Sequence, residues 1–324
     1  MARRRRKGQK HAVPVTDGPQ ALVIEMLGVE ALVRPLDAPP ESPPERALLA
    51  RAVSKRSRVV VGDTVQCGLV QDSQPEHPRL MIMSVAPRSN VLARPDFHGR
   101  QQAIAANLDH VIVVVTPRDP PLRLGLVDRY LVASFRTGID PVVCLNKADL
   151  DDVGAWEALE PYRALGIPTI KTVALAGKDD GIAPLTDLMA SRRSVLVGHS
   201  GVGKSSLACA LIPGLERRVG TVNQTIGRGR HTTTTASLLP LPQGGELVDT
   251  PGIRAFGIFG VEPLELAGFY PEFISRVDEC RFRGCSHIHE PGCAVRAAVE
   301  EGLIDPGRYE RYLQIHRSLV EEGR

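Results

Sequence analysis

A chain of 324 residues is long enough for two or three domains, and 43% hydrophobic with 24% charged residues is the balance of a globular protein rather than a fibrous or disordered one. No apolar run approaches the roughly 20 residues that cross a bilayer, and no apolar segment follows the basic N-terminus, so the sequence reads as cytoplasmic rather than membrane-bound or secreted. The formal net charge is only +3, yet Arg3, Arg4, Arg5, Arg6, Lys7 and Lys10 crowd the start with no acid among them; residues 1–18 read as a basic, disordered arm suited to a polyanion, RNA above all.

Residues 19–90 offer short strand-like runs, Leu22-Val23-Ile24, Ala31-Leu32-Val33, Arg58-Val59-Val60-Val61 and Leu80-Met81-Ile82-Met83. Turn residues separate them, with a proline-rich loop from Asp37 to Pro44, and no helical period appears. This pattern predicts a small β-barrel of the OB type, a common platform for RNA, with a generic packing β-domain as the alternative. Residues 88–100 read as a polar linker.

Residues 91–258 change character. Asp109 to Val115 is a continuous apolar run, as in a parallel strand buried on both faces. Leu126 to Phe135 has helical spacing, and Pro141 to Leu145 is the next strand, so the segment predicts a doubly wound α/β domain with its ligand at the carboxyl ends of the strands. The second strand ends in Asn146-Lys147-Ala148-Asp149. A carboxylate can accept from two adjacent N–H donors of guanine, which adenine does not offer, so Asp149 is placed as the base selector. The run from Ile167 to Ala174 predicts the strand that brings a base-supporting loop, with Ala174, over the guanine; Gly181 to Met189 predicts a helix.

Ser194-Val195-Leu196-Val197 then feeds Gly198-His199-Ser200-Gly201-Val202-Gly203-Lys204-Ser205, which fits G-x-x-x-x-G-K-[ST], and Ser206 opens a helix. Strand, glycine turn and helix are the order the chemistry needs. Gly201 and Gly203 let backbone N–H groups turn onto phosphate oxygens, Lys204 reaches the β/γ-phosphates, and Ser205 can ligate Mg²⁺. The two motifs together imply GTP binding and hydrolysis. Downstream, Gly227 to Thr235 reads as a switch segment in which Thr232 or Thr233 joins the metal and γ-phosphate. Glu246-Leu247-Val248 leads to Asp249-Thr250-Pro251-Gly252, where Asp249 can hold the Mg²⁺ shell and Gly252 can offer its N–H. Ile253 follows where many such enzymes carry a water-orienting glutamine; His231, beside the switch threonines, is the candidate for that role, with an RNA-contacting surface histidine as the alternative.

The usual order of these motifs is inverted, since the base motif precedes the phosphate loop. The expected domain is therefore circularly permuted, which chain ends lying close together tolerate. After it, residues 259–324 hold Cys280, Cys285, His287 and Cys293, three of the six cysteines. Three thiolates and an imidazole fit a closed, structural Zn²⁺ site, with His289 a rival to His287. Ala294–Glu300 and Tyr309 to Leu319 read as helices packed around the metal.

On these residues the chain resembles the ribosome small-subunit-dependent GTPase A family of bacterial assembly factors, from about residue 20 to 320. The resemblance implies an OB-like domain, a permuted GTPase and a zinc module. It implies, too, a monomeric cytoplasmic factor that binds the 30S subunit and its 16S rRNA, hydrolyses GTP to GDP slowly until the subunit stimulates it, and helps release other assembly factors. Two departures stand out. Val173 precedes Ala174 where the family has serine, so that loop is expected to meet guanine through backbone groups, and His199 stands where glutamine is common.

Overall fold

The computed structural model describes residues 15–28, 30–39, 42–49, 58–70, 80–95, 101–151, 154–174, 181–215, 236–249 and 258–322. The chain divides into two compact units, Met1–Pro87 and Arg88–Arg324.

In the first unit, β1 (Val15–Leu27) pairs antiparallel with β2 (Glu30–Pro35) on one edge and with β4 (Thr64–Val70) on the other. Strand β2 continues to β3 (Glu45–Leu49), which runs parallel to β5 (Leu80–Val85), and β5 returns to β4. The five strands thus close on themselves, the arrangement of an OB barrel. Residues two apart, such as Ala21 and Val23, Val65 and Cys67, or Leu80 and Ile82, fill the interior, the period that strand geometry imposes.

Two local expectations change, and one strand was not expected. Val15 to Gly18 belong to β1, with Val15 opposite Val70 and Asp17 opposite Gly68, so the basic arm is shorter than 18 residues. Arg58 to Val61 is not a regular strand. The Asp63 carboxylate accepts from the Val60 N–H at 2.8 Å, Gly62 takes a φ of 86°, and the turn is stapled to Val23 by backbone bonds of 2.9 Å. Its three valines are buried because the turn plugs the barrel, and apolarity alone does not separate the two cases. Finally, β3 lacked an apolar alternation that would have betrayed it.

The second unit opens with a hairpin, β6 (Val91–Pro95) and β7 (Gln101–Ala106), where the sequence suggested a linker. Asn90 closes its base: its amide donates to Leu108 O at 2.8 Å, and Leu108 N–H donates back to its carbonyl at 2.9 Å. The main sheet has the order β10 (Thr169–Thr172), β9 (Asp140–Asn146), β8 (His110–Val115), β11 (Arg193–Val197), β13 (Glu246–Asp249), β12 (Ser237–Pro240). Its first five strands are parallel and β12 is antiparallel. Helix α1 (Leu124–Thr137) packs on β8 and β9 and stops at Gly138, whose φ of 68° allows its N–H to cap Ser134 O and Phe135 O. A short α2 (Glu160–Ala164) follows β9. Ile112 and Val114 of β8 pack with Leu185 and Met189 of α3 (Ile182–Met189) and with Leu207 and Leu211 of α4 (Lys204–Leu211).

The C-terminal helices α5 (Pro271–Ile274), α6 (Ala294–Glu300) and α7 (Pro306–Glu322) build a core with the segments that connect them. Tyr270, Phe273, Val295, Tyr312 and Ile315 pack in one cluster with Val132 of α1, and Tyr270, Phe273 and Tyr312 meet ring to ring at 4.9 to 5.2 Å. That core belongs mainly to the C-terminal segment, and Val132 of α1 joins it to the α/β domain. Beside that core lies a buried ion cluster. Asp128 of α1 accepts from Arg308 Nη1 at 2.7 Å, from Arg311 Nε and from Tyr162 Oη at 2.8 Å, while Glu272 takes the other side of Arg308. Burial opposes the charge on Arg308, but Asp128 and Glu272 hold its pKa above the usual arginine value. Among the described residues no helix is long and apolar enough to cross a membrane.

Candidate nucleotide site and metal centre

Parallel strands deliver both motifs to one edge of the sheet. Strand β9 ends at Asn146 and β11 ends one residue before Gly198, with β8 between them, so the two loops stand side by side. Asn146 joins them directly. Its amide donates to Val202 O at 2.9 Å, and its carbonyl accepts from Thr172 Oγ1 at 3.1 Å and Ala174 N at 3.2 Å. It is 2% exposed, so each of these bonds is sheltered from water and hard to replace. One side chain thus fixes the phosphate loop, the base motif and the loop after β10 relative to each other.

The phosphate loop needs its glycines. Gly198, Gly201 and Gly203 have φ of 143°, 88° and 90°, and a Cβ would sit 2.3 Å from Val114 O at Gly198 and 2.3 Å from Asn146 Nδ2 at Gly203. Gly203 opens α4, and Lys204 on its first turn donates to Gly198 O and His199 O at 2.8 Å each, which places its ammonium in the mouth of the loop. His199, Ser200, Ser205 and Ser206 are exposed, while Val202 is buried. Asp249 ends β13, the strand beside β11, so it shares this edge with Ser205; burial holds its carboxyl above the usual aspartate range although its outer edge stays open. Lys147, at φ 56°, donates to Asp119 O at 2.7 Å, and Asp149 is exposed next to it. The expected backbone role of the loop after β10 is partly committed already. Val173 is buried and the Ala174 N–H serves Asn146. His231, Thr232, Thr233 and Gly252 lie outside the described residues.

Two contributors escaped the sequence. Thr172 steadies Asn146 and is itself within 3.2 Å of Cys144 Sγ. Tyr130 of α1 is 3% exposed; burial pushes its pKa up, and the Gly198 backbone N–H, which donates to its hydroxyl, works against this. Neither residue sits in a motif, so no local signal marks it.

The second constellation is Cys280, Cys285, His287 and Cys293, whose ligand atoms all lie within 4.8 Å of one another. His287 Nδ1 is 3.6 Å from Cys280 Sγ and 3.4 Å from Cys293 Sγ, close to the ligand edges of about 3.4 to 3.8 Å that a tetrahedral zinc requires. His289 is exposed and outside the cluster, whereas His287 lies among the thiols. Burial pushes the Cys285 thiol up to about 12 and keeps His287 in its neutral, lone-pair-bearing form, so a cation suits this donor set. The loop is stiffened from outside. Against burial, Glu290 accepts from Ser286 Oγ and from the N–H groups of Ser286, Ile288 and His289, which hold its carboxyl well below the usual range. Tyr309 and Tyr312 of α7 donate to His287 O and Ser286 O, both at 2.8 Å.

Phosphate loop, base motif and sheet order together define a P-loop GTPase whose domain is circularly permuted, with the base motif ahead of the phosphate loop in the chain. The model of the RsgA GTPase family matches residues 85–259. The chain belongs to that family and is a GTP-hydrolysing enzyme. It is 42% identical over 245 residues to a Mannheimia succiniciproducens protein named small ribosomal subunit biogenesis GTPase RsgA, covering 74% of this chain and 69% of that one. A Pseudomonas fluorescens protein of the same name is 45% identical over 247 residues, 75% of this chain and 71% of that one. Among solved structures, YjeQ from Thermotoga maritima superposes with a TM-score of 0.76 at 32% identity, covering 93% of this chain and 98% of that one. YloQ, described as a circularly permuted GTPase, does so with 0.74 at 25%, covering 97% and 98%.

Proposed function

We propose that this chain is a cytoplasmic GTPase of 30S ribosomal subunit biogenesis, acting as a monomer on the late subunit. In this reading it contacts 16S rRNA, hydrolyses GTP to GDP faster when the subunit is bound, and promotes release of other assembly factors. The observation that carries the nucleotide part is the Asn146 side chain, which locks Val202 of the phosphate loop to the base motif. Asn146, Lys147, Asp149 and Ala174 would frame the guanine, residues 198–206 and Gly252 the phosphates, and Ser205 and Asp249 the Mg²⁺. The division of labour is an OB-like barrel over 19–90, a GTPase body over 91–258 and a metal-stiffened segment over 259–324, with the basic arm adding phosphate contacts. Cosedimentation with isolated subunits tests the partner: binding to 30S that depends on GTP or GDP state supports it, and recovery with 50S alone overturns it.

Asp149→Asn replaces an acceptor by an amide that faces the guanine donors with a donor of its own. GTP should bind about ten- to a hundredfold more weakly while xanthine nucleotide binds better, as read by fluorescent-nucleotide titration. Unchanged GTP affinity would remove Asp149 from the base pocket.

Cys280, Cys285, His287 and Cys293 would hold one structural Zn²⁺, which supplies folding energy to the loop and no chemistry to the reaction. Cys285→Ser should lose the metal by elemental analysis and speed hydrogen exchange over 270–322, and full retention of one zinc per chain would show that Cys285 is not a ligand.

His231 is assigned to orient the attacking water, with Lys204 offsetting charge on the β/γ-phosphates and Thr232 or Thr233 joining the Mg²⁺ and γ-phosphate through its hydroxyl. His231→Ala should bind GTP and 30S normally yet lose on the order of 10²-fold of the stimulated single-turnover rate. A defect rescued by more 30S would assign the residue to rRNA contact instead.

A further inference from the structure

The turn that follows β8 touches both nucleotide loops, although no motif covers it. Strand β8 ends at Val115, and Thr116 comes next with 1% of its surface exposed. Its hydroxyl donates to Pro120 O at 2.7 Å, and the Leu122 N–H donates to Pro117 O at 3.4 Å, so residues 117–122 fold back on themselves. The outer side of this turn grips the base motif. Lys147 Nζ donates to Asp119 O at 2.7 Å, and Arg118 Nε donates to Leu150 O at 3.2 Å. Lys147 and Leu150 bracket Asp149, and the Leu150 N–H donates to Lys147 O at 3.0 Å, so both ends of one short turn are held. On its other flank the segment reaches the phosphate loop, where a Cβ at Gly201 would stand 3.4 Å from Pro120 Cδ. The bonds from Lys147 and Arg118 are exposed and compete with water, whereas the Thr116 side chain is sheltered. A backbone carbonyl can fix a lysine ammonium only if the turn carrying it is fixed, and the Thr116 hydroxyl supplies that.

We propose that Thr116 is a positioning residue for guanine recognition: its hydroxyl holds the 117–122 turn, and the turn holds Lys147 and Leu150 so that Asp149 meets the base in one orientation. A carboxylate that accepts from two parallel N–H donors tolerates little rotation, so loosening the turn costs the paired contact more than a single one. The inference rests on the reading that Asp149 accepts from the guanine.

The test uses the full chain with Mg²⁺, titrating GDP and inosine diphosphate by calorimetry; the inosine nucleotide lacks the exocyclic amino donor of guanine. Thr116→Val removes the hydroxyl and keeps the branched shape. It should weaken GDP about two- to tenfold, the worth of one hydrogen bond, and weaken the inosine nucleotide less, so that the preference between them narrows. Thr116→Ser keeps the hydroxyl and should keep the wild-type preference. Lys147→Met keeps the stem but cannot donate to Asp119 O; if the two residues act along one path, combining it with Thr116→Val costs less than the product of the single effects. An unchanged preference in Thr116→Val overturns the positioning role, whether GDP binds as before or both nucleotides weaken equally. Thr116→Ser behaving like Thr116→Val overturns it too, since the lost methyl group would then be the cause. A double variant at the full product overturns the route through Lys147. A wild-type chain that binds both nucleotides equally overturns instead the underlying reading of Asp149.

Discussion

Gly203→Ala should abolish useful nucleotide binding. At φ 90° an L-residue costs about 1–2 kcal/mol, and its Cβ would lie 2.3 Å from Asn146 Nδ2. Asn146 cannot yield cheaply, because it is 2% exposed and its other oxygen contacts to Thr172 and Ala174 would move with it. Losing the bond to Val202 O leaves buried polar atoms unpaired, roughly 1–3 kcal/mol more. The sum corresponds to a loss in GDP and GTP affinity on the order of 10²–10³. Gly214→Ala separates strain from site: Gly214 has φ 82° and nothing within 4 Å of its would-be Cβ, so it should cost stability and spare affinity. If Gly203→Ala binds GDP like the wild type, Asn146 is not the tie between the loops.

The second large effect falls on stability. Asp128→Asn preserves shape but removes the negative charge from a site where the side chains of Asp128, Arg308 and Arg311 are 0%, 3% and 14% exposed. Breaking one partner of a buried ion cluster leaves a cation without compensation, and the expected loss is about 3–5 kcal/mol. Denaturant unfolding followed by tryptophan fluorescence reads it through Trp156, whose ring lies under the guanidinium of Arg163 in α2. A contrasting variant is Glu160→Ala, which breaks the exposed pair with Arg163 and should cost under about 0.5 kcal/mol. A midpoint for Asp128→Asn equal to that of Glu160→Ala would show that the cluster adds nothing to folding.

What could be read from the sequence was whatever is written in consecutive residues. The phosphate loop, Asn146 to Asp149 and the cysteine cluster each carry their meaning within a short window, because a tight turn or a metal demands fixed spacings. Strands β8, β9 and β11 were legible for a related reason: burial on both faces leaves a run with no polar interruption. What could not be read was written across the fold. Thr172 and Val202 O reach Asn146 only once β10, β9, β8 and β11 lie in register. Asp128, followed by Arg129 in its helix, looks like an ordinary solvent-facing residue, since Arg308 and Arg311 are some 180 positions away. The hairpin of β6 and β7 was mistaken for a linker because Pro95 and its polar neighbours masked five paired positions. Between His287 and His289 only depth decides, and spacing alone is silent on it.

The placement of β8 between β9 and β11 has a consequence for how the chain emerges during synthesis. Strands β8 and β9, with α1 as their crossover, can assemble from neighbouring sequence, a local and rapid event. The other edge of β8 must then wait, with Val111 to Val115 all apolar and its backbone groups unpaired, until β11 is made. An uncovered apolar edge is a template for association with another chain. The permutation therefore shifts the exposed interval of folding onto the centre of the sheet. Translation pauses or early truncation between β9 and β11 should yield aggregation rather than a stable fragment.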